Sequence, residues 1–341
     1  MKKILFASTA LVAFGAAAQA EVIITGNASL GIVNSERGEA GEGAGVSGGT
    51  GGDTEFFNDA DVDFTLTGET DGGLAFGANV DLDEAGNLGN ERDDQGIDVF
   101  ISGAFGTLTL GDTDGALDWA LQEVAFNNGS LNEDETSHAG WNGNSALDGT
   151  FDGQVLRYDY SFGDFGVAVS AEIDDNDDDD LDGGDNDAVF GIGARYSLDL
   201  GGNTIGFGLG YQQTEIDDDT DLAAVGLPDG DWDVIGLSVN GTFGAFAAGL
   251  NYSTFDAPVE GADGDHIGVG VGFESGPFTG SFNYGQYDFE ADDADQEGFG
   301  LTAGYDLGGG AQIQFGYGNS SFDADGVEDQ DSYSFGVRMN F

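Results

Sequence analysis

Tyr333-Ser334-Phe335-Gly336-Val337-Arg338-Met339-Asn340-Phe341 closes the chain with an apolar residue at every second position. Successive side chains of a strand point to opposite faces, so Tyr333, Phe335, Val337, Met339 and Phe341 share one face, and Ser334, Gly336, Arg338 and Asn340 the other. The first face suits hydrocarbon and the second suits water. One such strand could belong to a soluble sheet. Repeated along the chain in segments of about ten residues, the pattern has the length a tilted strand needs to cross a bilayer core.

The opposite terminus fits export. Lys2 and Lys3 precede an apolar run from Ile4 to Ala18, and Ala18-Gln19-Ala20 has the small-residue form of a cleavage site, so residues 1–20 are expected to be a secretory signal removed before Glu21. No later stretch offers the roughly 18 consecutive apolar residues of a spanning helix. An exported chain of this kind crosses a membrane only as a closed barrel, because every backbone polar group must be paired inside the lipid.

Composition narrows the function classes. With 7 basic and 65 acidic residues and a formal charge of −58, nucleic acid is excluded as a partner, since its phosphates would be repelled. A disordered acidic tail is excluded as well, because 26 Phe and 10 Tyr are far too many for one. The absence of Cys removes disulfides and thiolate metal sites. The balance of 62 Gly to 3 Pro suits strands joined by tight turns better than helices.

Sixteen strands are expected across 21–341, the first at 21–34 and the last at 331–341. Their connections alternate in length. Short turns fall at 69–72, 103–104, 163–164, 201–202, 243–244, 275–276 and 307–310, and long acidic loops between them, the third and longest at about 112–153. Phe105, Phe162, Phe165, Phe243, Phe246, Phe278, Tyr305 and Phe341 gather at the short-turn rim, as an interfacial aromatic girdle would. Ile205, Phe207, Leu209 and Tyr211 are expected outward, with Gly206, Gly208, Gly268, Gly270, Gln312, Gln314 and Gly316 inward, facing the water of a lumen. The fold class is therefore all-β, a sixteen-stranded antiparallel transmembrane β-barrel.

Glu21-Val22-Ile23-Ile24-Thr25-Gly26-Asn27-Ala28-Ser29-Leu30-Gly31, Val99-Phe100-Ile101-Ser102-Gly103-Ala104-Phe105-Gly106, Gly111-Asp112 before the long insertion, Tyr305-Asp306-Leu307-Gly308-Gly309-Gly310-Ala311 and the terminal Phe resemble the alphaproteobacterial general porins. The resemblance runs over essentially all of 21–341. It implies a homotrimeric outer-membrane diffusion channel with short periplasmic turns, long extracellular loops and a third loop folded into the lumen. The last strand resembles the signal read by the barrel assembly machinery, through Tyr333, Phe335, Val337, Met339 and Phe341. Outer-membrane lipid or lipopolysaccharide, small hydrophilic solutes and cations are the other partners it implies.

The residues themselves favour an inward third loop. Leu117, Trp119, Leu121, Val124 and Phe126 would be costly to expose in a solvated loop, and against the inner wall they are hidden. Asp114, Asp118 and Glu123 would then hang across the opening, with Glu133, Asp134 and Glu135 beyond them. General porins usually carry a basic cluster on the facing wall, with strand two as one site. Here that strand reads Asp59-Ala60-Asp61-Val62-Asp63-Phe64, which turns three aspartates inward. Only Arg157, Arg195 and Arg338 point inward by parity, either as constriction residues or as structural ion pairs.

Other matches are discounted. Gly45-Val46-Ser47-Gly48-Gly49 and Gly43-Ala44-Gly45-Val46-Ser47-Gly48 imitate a nucleophile elbow and a dinucleotide fingerprint within one glycine-rich loop, without the strand-to-helix context either needs. Asp178, Asp180 and Asp182 begin like a calcium loop, but position twelve is Val189, which leaves at most a loose surface Ca2+ site. His138 and His266 read as polar lining. No nucleophile, base and orienter stand together, so no enzyme activity is assigned and no cofactor is required. The reading is a passive, cation-preferring channel for small hydrophilic solutes in the outer membrane of a Gram-negative bacterium. The alternatives are a substrate-selective channel, which needs a polar or aromatic ladder, and a secreted calcium-binding adhesin, which needs nonapeptide repeats.

Overall fold

Period-two alternation sustained over a dozen residues leaves each strand one apolar face, and only a sheet closed on itself can turn all such faces outward without exposing an edge. The computed structural model describes residues 20–36, 52–82, 96–127, 130–131, 135–151, 153–173, 187–216, 229–291, 295–324 and 327–341. It contains sixteen strands: β1 (Glu21–Ser35), β2 (Glu55–Glu69), β3 (Ala75–Asp81), β4 (Ile97–Gly103), β5 (Gly106–Gly111), β6 (Val155–Phe162), β7 (Phe165–Glu172), β8 (Val189–Asp199), β9 (Thr204–Ile216), β10 (Gly230–Phe243), β11 (Phe246–Asp256), β12 (Gly264–Ser275), β13 (Phe278–Phe289), β14 (Gln296–Gly308), β15 (Ala311–Phe322) and β16 (Gln330–Asn340). Each pairs antiparallel with its sequence neighbours, and β16 returns to β1, so the sheet is a closed barrel.

Closure runs from Asn27↔Asn340 to Ser35↔Ser332. The expected last strand ended at Phe341; the ladder ends one residue earlier, and the Phe341 N–H donates to the Gly26 carbonyl at 2.9 Å. Tight turns close on glycine in the left-handed region, as at Gly163 (φ 64°) and Gly244 (φ 65°), which other residues reach only with strain.

The outer surface is apolar. Phe207, Leu209, Ile267, Val269, Val271, Phe315 and Phe335 are exposed, and the girdle residues from Phe105 to Phe341 all lie open. Rings pair along the short-turn rim, Phe162 with Phe165 across one turn at 5.8 Å and Phe278 with Tyr305 on the neighbouring strand at 5.1 Å. No helix among the described residues is long and apolar enough to cross a membrane. The one helix among the described residues, α1 (Ala116–Ala120), was not foreseen; it sits inside the barrel within the third loop.

Candidate functional site

The barrel's hydrophobic core is built from the third loop and the wall it covers. Leu117, Leu121 and Leu147 from the loop pack with Val189 of β8 and Val234 of β10, and Ala116, Trp119 and Ala120 of α1 pack with Ala168 of β7. The outgoing limb passes over β7 to β13: Ala116 N–H donates to Ser170 Oγ (2.9 Å), Gln122 N–H to Ser238 Oγ (3.0 Å), and Asn127 Nδ2 to the Phe273 and Gly280 carbonyls (3.1 and 3.0 Å). Leu131 reaches the far side, where its N–H donates to Ser334 Oγ at 3.3 Å and its side chain lies against Gly31 of β1 and Gly336 of β16. The returning limb retraces the wall. Asn283 donates to the Thr136 carbonyl (2.8 Å), His266 Nε2 lies 3.0 Å from the Gly140 carbonyl, and the buried Glu172 accepts the N–H groups of Gly149, Phe151 and Gly153 at 2.9, 3.0 and 2.9 Å.

This circuit corrects the expectation that the inward glycines face water. Gly208, Gly270 and Gly316 face loop atoms at Ala120, Val124 and Ser130. A Cβ added at Gly210 would stand 2.8 Å from Leu117 Cα, and one at Gly272 would stand 2.7 Å from Phe126 Cβ. Only a wall without side chains lets a second layer of backbone fit within the barrel. Gln314, also placed in open water by parity, is fully buried.

Below the loop lies a cavity of ≈ 1360 Å³ that brings together Asp114, Asp118, Glu123, Arg157 and Arg195. Asp98, Asp159, Asp199 and Glu274 line it too and were missed, although their strand parity made Asp98 and Asp159 legible. Asp59, Asp61, Asp63 and Arg338 do not border this cavity. The aspartates lie on β2, eight strands around the ring from β10. There Asn27 Nδ2 donates to Asp61 Oδ2 (3.0 Å), and carboxylate oxygens of Asp61, Asp63 and Asp81 of β3 lie within 4.8 Å of one another. Asp178, Asp180 and Asp182 fall outside the described residues, as do Glu133 and Asp134.

Arg157 and Arg195, expected inward as constriction residues or as structural ion pairs, both line this cavity. Both are bonded to the loop, because α1 is laid over β7, β8 and β9, so that β8 lies beneath it and β6 is the next strand. Arg157 donates to the Asp114 carbonyl, and its Nε lies 3.7 Å from Asp159 Oδ1. Arg195 stacks its guanidinium 3.8 Å from the centre of the Trp119 ring and reaches the Trp119 carbonyl at 3.4 Å. Burial pushes the Asp118 carboxyl up to about 8, and the negative charges of Asp114, Glu123 and Asp148 add to the shift against the opposing pull of Arg157.

The arrangement is a walled passage narrowed by one loop and lined mainly by carboxylates. A sequence profile described as Gram-negative porin matches residues 7–325. A protein named Porin from Rhodobacter capsulatus is 31% identical over 209 residues, which cover 58% of each chain, so the match spans less than two thirds of that relative. A solved porin structure refined at 1.8 Å superposes with a TM-score of 0.67 at 27% identity, covering 94% of this chain and all (100%) of the other. A Rhodopseudomonas blastica porin triple mutant gives 0.59 at 21% identity over 94% of this chain and 100% of its own. An anion-selective porin from Comamonas acidovorans gives 0.59 at 18% over 95% and 100%; these last two likenesses speak for the fold alone. The profile match over most of the sequence, joined to a closed sixteen-stranded barrel with its loop inside, identifies the chain as a member of the Gram-negative porin family, residing in the outer membrane.

Proposed function

We propose that the protein is a passive, water-filled channel that admits small hydrophilic solutes and favours cations. The observation that carries this is the charge of the narrowed cavity: six acidic side chains (Asp98, Asp114, Glu123, Asp159, Asp199 and Glu274), with Asp118 as a seventh that ionises only above neutral pH, face it against two guanidiniums, both engaged by the loop or by Asp159. Water-lined walls of one sign concentrate counter-ions and repel co-ions, so selection is by size and electrostatic weighting. The barrel does not dictate the sign, since the Comamonas acidovorans relative is described as anion-selective on the same fold. Reversal potentials across a bilayer in a KCl gradient test the reading: a potential of cation sign is expected at low salt, and an anion sign would refute it. Deleting residues 116–135, which supply none of the ladder, should widen the pore and raise single-channel conductance.

The unit is inferred to be a homotrimer. Outward-facing aromatic pairs fall on β6 to β15, whereas the neighbouring faces of β1, β2 and β3 present Gly26, Ala28, Ala60 and Ala78. Beside them an apolar hollow of ≈ 510 Å³ is lined by Leu30, Ile32, Phe56, Ile313, Phe335 and Val337. Small residues let two barrel walls approach closely. Short turns would then face the periplasm and the long acidic loops the exterior, with no cofactor needed and Ca2+ serving only as a counter-ion for loop carboxylates such as Asp178, Asp180 and Asp182. Cross-linking that stops at three chains is the expected check.

A further inference from the structure

The limbs of the third loop meet at a neck. The Gly115 N–H, at the start of the outgoing limb, donates to Asp148 Oδ2 at 2.8 Å, and Gln212 Nε2 of β9 donates to Asp148 Oδ1. Gln212 Oε1 accepts the Leu147 N–H at 2.9 Å, which fixes the amide orientation, because a flip would set its NH2 against that N–H. Glu172, at the end of β7, ties down the last residues of the loop through its three backbone bonds. Just before the neck, Ala146 sits at φ 51°, a conformation an alanine holds only when its surroundings impose it.

We propose that Asp148, Gln212 and Glu172 form a proton-sensitive fastening that fixes the neck of the third loop and so holds the channel aperture steady. This rests on the reading of the lumen as a conducting pore. Asp148 is the positioning residue on which the state of the neck turns. Each of its oxygens accepts from one donor, so a proton added to either turns that oxygen into an uncharged, poorer acceptor and weakens the bonds to Gly115 and Gln212. The charged groups turned toward it are Glu172 from β7 and Asp114 and Asp118 from the outgoing limb, all acidic; the amide of Gln212 from β9 is neutral. Arg157 lies against Asp114 and Asp118. Burial and these carboxylates push Asp148 up to about 7, despite the bonds from Gly115 and Gln212 that favour its charged form. The neck is therefore fully fastened above neutral pH and loosens below it.

The test is open-channel current noise of the full-length folded protein in planar bilayers, at pH 8 and pH 6. Symmetrical 1 M KCl is used because screening within about 3 Å suppresses charge effects of the lining itself. The wild-type current should flicker several-fold more at pH 6. Asp148→Asn, which keeps one acceptor and mimics the protonated form, should flicker at pH 8 as the wild type does at pH 6 and should lose its pH response. Glu172→Ala should be noisy at both. A wild-type record that is equally quiet at both pH values, or an Asp148→Asn channel with the full wild-type response, overturns the fastening. A folded wild-type protein that passes no current overturns the pore reading itself. If Asp148→Asn does not fold, Gln212→Glu answers the same question: its carboxylate accepts the proton of Asp148, so the acid channel should become quiet, and an unchanged response counts against the proposal.

Discussion

The inner wall of this barrel has two halves that are built differently. From β8 to β15 its inward positions are rich in glycine, and a loop lies on them; on β2 to β4 they carry Asp59, Asp61, Asp63, Asn79, Asp81 and Asp98, and no loop among the described residues covers them. The same strand geometry thus serves two purposes. Where side chains are absent the wall is a seat for a second layer of backbone, and where they are present it is a charged surface open to water. Inward parity alone does not say which half a residue belongs to; side-chain size does.

The largest expected effect comes from blocking the seat. Gly285 faces the Gly140 carbonyl directly, backbone against backbone, so Gly285→Val should destabilise the protein by about 1–3 kcal/mol, the usual range for overpacking. Asp59→Val on the bare half should leave stability within about 0.5 kcal/mol, as surface substitutions usually do. Urea titrations of both variants folded in lipid vesicles would measure this, and equal losses would erase the distinction between the halves.

A smaller effect is expected on selectivity. Replacing Asp59, Asp61 and Asp63 together with Asn should move the low-salt reversal potential toward zero, whereas Arg157→Gln should move it further toward cations. Charges about 4 Å apart interact by roughly 1 kcal/mol in bulk water and more within a wall, and each 1.4 kcal/mol is a tenfold change in partitioning. An unmoved potential in the triple variant would assign selectivity to the covered half alone.

The smallest effect is a pH dependence. Asp118, pushed up to about 8, is uncharged in neutral solution and gains its charge as pH rises through that value. Cation preference in dilute salt should therefore increase between pH 7 and 9, and Asp118→Asn should remove the increase. The stability linkage has a wider window: a carboxyl raised above its ordinary value of about 3.9 favours the folded state fully below that value and loses the contribution progressively as pH climbs from there through about 8. A flat selectivity profile across this range would mean that Asp118 is already ionised at neutral pH.

The strands were legible because alternation is a local signal, carried by residues two apart. All sixteen fall where the pattern placed them, to within about two residues at each end. The seat was not legible, because its contacts join residues far apart in sequence: Leu131 meets Ser334 across 203 positions, and Gln122 meets Ser238 across 116. An inward glycine reads only as a missing side chain until its partner is known. The contacts of Arg157 and Arg195 with the loop were hidden for the same reason, since parity gives the face of a strand but not what has been laid upon it. Helix α1, five residues long, is too short to show a helical period.

Leu131 rests on Gly31 and Gly336, residues of the first and last strands, and its N–H is held by Ser334. Those two strands become neighbours only when the cylinder shuts, the slowest kind of contact for a chain to make, since it joins the two ends of the sequence. The tip of the loop therefore has no berth in a half-assembled sheet. The outgoing limb needs no seam, since its bonds go to β7, β10, β12 and β13. Sealing the cylinder thus supplies the final berth of the loop, the one beneath its tip.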